Sequence, residues 1–253
     1  MSPINQTIAN VSSKEYGLTT GNKSIVKDGL ITYLDAGNPS SYPGTGTVWY
    51  DLSTSGYNYN IVASAYNSSG PKYMDFNGSY GIAKSQNSSN PAAPYVYTIM
   101  LWTRIKDRGD WRTLYRPYDN NHTVIIEYNT YNMGMYSNIN GGFFGSGYNQ
   151  TSLPSWGNSN WICLFFKVNN STNPYWQMSY NDTPDTIRAS LSDSRTYTPT
   201  MLGNLGGWGN GNTTPSDASQ YWGDIGLFLY YNKFLSTSEM QQNFVATRSR
   251  FGI

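Results

Sequence analysis

Four aromatic residues stand in Gly- and Asn-rich stretches where a flat ring can meet a sugar: Trp111, Tyr118, Trp156 and Trp208. Trp208 is the sharpest case, because the four glycines of Gly206-Gly207-Trp208-Gly209-Asn210-Gly211 give its ring little local cover. An aromatic face stacks on a pyranose while neighbouring Asn and Asp side chains bond its hydroxyls. A loop Trp that tucks back under its loop, or one that meets a neighbouring subunit, uses the same residue types. The acids point elsewhere. Cleaving a glycosidic bond takes two carboxylates about 5–9.5 Å apart. The chain has three glutamates, Glu15, Glu127 and Glu239, and none has a second acid within five residues. An aspartate pair assembled from distant loops is the remaining route. Asp107 and Asp110, either side of Gly109, read as local turn formers. His122, within Asp119-Asn120-Asn121-His122-Thr123, has no Gly-x-Ser-x-Gly nucleophile to serve and reads as a polar loop residue. The expectation is a chain that is not an enzyme.

Composition narrows the field further. The 253 residues include 16 Lys and Arg against 15 Asp and Glu, a formal net charge of +1, so nothing draws the chain to nucleic acid or an anionic membrane. One Cys and one His exclude an internal disulfide and an imidazole-rich metal site. No apolar run reaches the ~18 residues of a membrane span, and the opening Met1-Ser2-Pro3-Ile4-Asn5-Gln6 does not read as a signal peptide. Only 12% of residues are charged while 16% are aromatic. Neutral polar and Tyr-rich surfaces suit sugars or neighbouring subunits, because desolvating them costs less than desolvating ions. An AT-rich coding sequence gives the same enrichment.

The elements that must position these residues are mostly strands. Short apolar runs at 29–34, 72–76, 95–105, 123–128, 161–168, 175–180 and 224–231 are bounded by Gly, Pro, Asn and Ser, the pattern of a β-sandwich. The runs 95–105 and 161–168 are apolar on both alternating faces, as central covered strands are. Cys163 reads as a small apolar filler within the second. One helix is marked by the capping box Ser236-Thr237-Ser238-Glu239, with Leu235 and Met240 as the hydrophobic staple and Phe244 on the Met240 face. The helix is expected to run to about Arg248. Residues 1–27 show no sustained period and read as an attachment arm, leaving 28–253 as a single sandwich domain.

Both ends of that domain carry a family likeness. Gly29-Leu30-Ile31-Thr32-Tyr33-Leu34-Asp35-Ala36-Gly37-Asn38-Pro39, then Trp49-Tyr50-Asp51-Leu52-Ser53, resembles the opening of laminin-G/concanavalin A-like lectin modules of phage structural proteins. Gly223-Asp224-Ile225, Tyr231-Asn232-Lys233-Phe234-Leu235-Ser236 and Arg250-Phe251-Gly252 resemble their close, and Met74-Asp75-Phe76-Asn77-Gly78 their Phe-Asp-Gly turn. Where such modules show Tyr-x-Asn-Gly, this chain has Tyr180-Asn181-Asp182, without the glycine. The resemblance implies an all-β, two-sheet antiparallel jelly-roll with one short C-terminal helix. It also implies a structural calcium site at Asp35 and Asp224 if the terminal strands pair, loop carbonyls completing the six to eight oxygens that calcium takes. The alternative is that Asp35 caps the Gly37-Asn38 turn and Asp224 orders its own loop.

The functional expectation is a lectin-like structural protein on the surface of a virion assembled in the host cytoplasm. It would contact other virion proteins through the arm or an oligomeric base, form a homo-oligomer, and adhere weakly to glycans. No cofactor is required. The alternatives are a glycan-degrading enzyme on the same scaffold and a cellular carbohydrate-binding module.

Overall fold

The computed structural model describes residues 24–77, 82–85, 96–106, 111–116, 123–127, 130–137, 142–154, 160–169, 175–183, 186–190, 203–207 and 221–253. In chain order the strands are β1 (Leu30–Asp35), β2 (Val48–Trp49), β3 (Tyr59–Val62), β4 (Ala65–Asn67), β5 (Tyr73–Asn77), β6 (Ile82–Ser85), β7 (Val96–Ile105) and β8 (Arg112–Arg116). There follow β9 (Thr123–Ile126), β10 (Asn132–Ser137), β11 (Gly142–Asn149), β12 (Ile162–Asn169), β13 (Tyr175–Tyr180), β14 (Thr186–Ser190), β15 (Asn204–Leu205) and β16 (Trp222–Tyr231). All seven apolar runs of the sequence are strands. Among the described residues the sixteen strands make two antiparallel eight-stranded sheets. Sheet A runs β14-β13-β12-β7-β16-β5-β4 with β1 also on β16, and sheet B runs β11-β10-β9-β8-β15-β6-β3-β2.

The inward positions of both sheets fill the core. Tyr97, Ile99, Leu101, Phe228 and Tyr230 of sheet A meet Tyr115, Val124, Ile126, Met133 and Met135 of sheet B. The other face of sheet A is apolar as well, since Met100, Trp102, Cys163, Phe165 and Leu229 are buried there in a second cluster. That is why β7 and β12 read as apolar on both faces. Burial pushes the Cys163 thiol well up, so it packs as an apolar group. The cover for this face is α1 (Thr237–Thr247), followed by a 3₁₀ turn at Arg248–Phe251. The capping box forms on both sides, with Glu239 N donating to Ser236 Oγ at 3.3 Å and Ser236 N to Glu239 Oε2 at 2.9 Å. Phe244 and Phe251 both stack on Trp102, at 5.7 and 4.3 Å between centroids. Trp102 Nε1 donates to Thr247 Oγ1 at 2.8 Å. The hairpin without its glycine still turns, because Asn181 takes the left-handed conformation at φ 52°.

Residues 24–27, the end of the expected arm, pack with the sandwich. Ile25 and Val26 are buried in the helix-side cluster. Val26 N donates to Asn243 Oδ1 at 2.8 Å, and Tyr231 Oη donates to the Val26 carbonyl at 3.0 Å. Residues 1–23 lie outside the described residues.

Two outcomes test this packing. Deleting residues 1–27 lowers stability by about 2–4 kcal/mol more than deleting residues 1–23, because only the longer deletion strips Ile25 and Val26; urea unfolding of the two truncations measures the difference. Ser236→Ala costs about 1 kcal/mol through the lost cap while the fold persists on the packing of Met240 and Phe244. Circular dichroism with thermal melts reads both effects.

Candidate functional site: an aromatic platform on sheet B

Strand alternation sends every second side chain of sheet B away from the core. In β10, Met133 and Met135 point inward, so Gly134 and Tyr136 face out. In β11, Phe144, Ser146 and Tyr148 are the inward set, so Phe143 faces out as the register partner of Tyr136. Trp111, just before β8, stands beside both. Its ring lies 5.9 Å from Tyr136 at 66° and 6.5 Å from Phe143 at 69°. Trp111 is 36% exposed, and Tyr136 and Phe143 are half-buried. A Cβ on Gly134 would fall 2.7 Å from Phe143 Cζ and 2.3 Å from the Phe144 carbonyl, so only glycine lets the Phe143 ring lie down here. The result is a partly exposed corner of three rings, an upright Trp against two neighbours. It offers ring faces to the C–H side of a sugar and carries no charge of its own. Trp222, 39% exposed with the Arg112 guanidinium 5.9 Å from its ring centre, is a further exposed aromatic.

Of the four sugar-stacking residues read from the sequence, the structure places Trp111 in this corner. Tyr118, Trp156 and Trp208 lie outside the described residues, as does His122. Tyr136 and Phe143 were missed. Their signal was parity within the strands: Tyr136 follows the Met-Gly-Met alternation, and Phe143 stands out of phase with Phe144, Ser146 and Tyr148.

The two acids of the expected calcium pair meet protein cations. Strand pairing does bring Asp35 and Asp224 onto adjacent strands, β1 and β16. Each carboxylate, however, already has its cation. Asp35 accepts from Arg250 Nη1 and, at 2.8 Å, from the Gly37 amide, the turn cap. Asp224, fully buried, accepts from Arg104 Nε at 3.0 Å and Nη2 at 2.6 Å, and meets Lys106 Nζ at 2.6 Å. Arg104 is itself held 4.9 Å over Tyr73 and 4.8 Å over Trp161. Burial pushes the Asp224 carboxyl up against the pull of Lys106 and Arg104. These residues do not fit a calcium ion, since a dication would have to displace cations already bonded. Among the described residues no group of three or more His, Cys, Asp and Glu is placed to hold a metal.

The architecture is a two-sheet antiparallel β-sandwich of the jelly-roll kind, and solved structures share it. No family model matches the sequence, and no curated protein matches it either. A sialidase of Trypanosoma rangeli superposes with a TM-score of 0.60 at 14% identity, over 89% of this chain and 34% of the sialidase. The binding domain of botulinum neurotoxin DC, solved in complex with SialylT, superposes with a TM-score of 0.60 at 16% identity, over 88% of this chain and 52% of that one. The receptor binding domain of botulinum neurotoxin type G gives 0.55 at 14% identity, covering 86% and 51%. This chain thus spans about a third of the sialidase and half of the toxin chains. At these identities the likeness is one of fold.

The comparison corrects one expectation outright. The scaffold occurs in sialidase chains, so the chain cannot be set aside as a non-enzyme. That exclusion rested on acids being far apart in sequence, and strand pairing defeats it: Asp75 of β5 stands directly opposite Asp224 of β16, with Lys106 Nζ 2.7 Å from Asp75 and 2.6 Å from Asp224. Removing the shared anion tests the network. Asp224→Asn leaves Arg104 and Lys106 without their buried partner and lowers stability by about 2–4 kcal/mol, less than a fully buried pair because both cations are partly solvated. Chemical denaturation in low and high salt measures it.

Proposed function

We propose that this chain is a lectin-like domain that binds glycans through the Trp111–Tyr136–Phe143 corner. The observation that carries the reading is the corner itself: three aromatic side chains, one before β8 and two paired across the β10–β11 hairpin, converge, partly exposed, on one outward sheet face. The shared fold supports it, since one toxin binding domain with this fold was solved in complex with SialylT. The terminal motifs support a finer reading, display on a virion surface, with the segment before Ser24 reaching other virion proteins and several copies presenting the domain together. A shallow contact of this kind binds with roughly millimolar affinity, about −4 kcal/mol. Many copies on one particle then supply the useful adhesion.

Trp111→Ala is the direct test. It weakens retention on a glycan surface by roughly tenfold or more, while costing about 1–2 kcal/mol of stability from the lost ring contacts. Surface plasmon resonance over immobilised glycans, paired with thermal melts of the same variant, separates the two effects. Unchanged retention with an intact fold removes the corner as the binding surface.

A further inference from the structure

On the opposite side of the sandwich a cleft of about 290 Å³ opens between residues 24–27, β1, the middle of β16 and the end of α1. Its floor is apolar, from Ile25, Leu227 and Ala246. Its walls are polar. Lys27 Nζ sits 5.3 Å from the centre of the Tyr33 ring, and this exposed ammonium has no ion pair among the described residues. Asp35 is bonded unevenly: Oδ1 accepts from Arg250 and Gly37, whereas Oδ2 accepts one long bond, at 3.4 Å from the Tyr33 hydroxyl, and keeps lone pairs to spare. Ser24 and Ser249 complete the rim.

We infer that this cleft binds a carboxylate-bearing monosaccharide unit, with Lys27 taking the carboxylate and Asp35 Oδ2 with the Tyr33 hydroxyl taking ring hydroxyls. The chemistry follows from what is left unbonded. A free ammonium wants an anion. A carboxylate oxygen with spare lone pairs wants O–H donors, and it repels a second carboxylate on its own side of the cleft. One ligand that carries both a carboxylate and hydroxyls satisfies the two at once. The volume admits one sugar ring rather than a chain, being at the small end of ligand pockets. Burial, with the neighbouring Asp35 carboxylate, raises the Tyr33 hydroxyl to about 12, so it stays protonated at neutral pH and available as a donor. Arg250 is not the recognition group, because it is spent on Asp35 and on the carbonyls of Pro71 and Gly226. This site is independent of the aromatic corner and stands whether or not that surface binds glycans.

Titration of the 253-residue chain with glucuronate, glucose and acetate, followed by two-dimensional NMR, tests the inference. Glucuronate is expected to shift amides at 24–35 and 246–250 and to bind roughly tenfold tighter than glucose or acetate. Lys27→Gln brings glucuronate down to the glucose level, Lys27→Arg restores it, and Tyr33→Phe weakens glucuronate while leaving acetate unchanged. Equal binding of glucuronate and acetate means that the site reads charge alone and overturns the sugar. Equal binding of glucuronate and glucose, no change in Lys27→Gln, or shifts confined to other residues overturns the site.

Discussion

The sandwich turns on a hand-over in β16. This ten-residue strand is paired with β7 along one edge, while its other edge is shared by β1 and β5. Where β1 gives way to β5, the pairing register with β7 shifts between Ile225 and Leu227. The Gly226 carbonyl at that bulge accepts from the Ala36 amide at 3.0 Å and from Arg250 Nη2 at 2.7 Å. Arg250 also donates to the Pro71 carbonyl at 2.9 Å and pairs with Asp35. One guanidinium therefore completes the end of β1, the bulge of β16 and the approach to β5, which orphaned carbonyls would otherwise make costly. Gly226 has to be glycine, because a Cβ there would lie 2.5 Å from the Phe251 ring. Through Phe251 the same point reaches Trp102 and the helix.

That junction explains why the two ends of the chain were the legible part. The Leu-Asp-Ala-Gly segment and Arg250-Phe251-Gly252 are far apart in sequence, yet they bond to each other and to Gly226, the residue that follows the Gly-Asp-Ile segment. Their identities are fixed by mutual contact, and such fixed residues read as a motif. The capping box was legible for a different reason, being complete within four residues. Sheet B was largely illegible. β2 and β15 span two residues each, and β10 and β11 are interrupted by glycines, so neither offers the apolar run by which a strand is recognised.

The candidate site was legible in one residue of three. Trp111 stood out as an aromatic next to a turn, whereas Tyr136 and Phe143 join it only because β8, β9, β10 and β11 lie side by side. The acids show the same limit from the other direction. Asp75 and Asp224 look unrelated in sequence and are neighbours in the sheet. Spacing along the chain measures proximity within a helix or hairpin; across a sandwich the sheet order decides it. Asp35 and Asp224 lie on the paired strands β1 and β16, and the partners that neutralise them, Arg250, Arg104 and Lys106, are protein cations.

The two surfaces differ in the physics they can use. The corner on sheet B is uncharged and shallow, so its contact is dominated by ring area and is insensitive to salt. The cleft on the helix side of sheet A holds an ammonium over a tyrosine ring and an under-bonded carboxylate oxygen, so binding proposed there would discriminate by charge and weaken as salt rises. Because they lie on opposite faces of one sandwich, a single glycan cannot close both, and the domain gains no internal avidity from having two. With both proposed sites occupied it would instead join two ligands across its thickness. Weak contacts on opposite faces give strength only when neighbouring copies face the same surface, where each further contact forms at high effective concentration. A chain with only 12% charged residues suits that crowded arrangement, since copies with few like charges repel one another little.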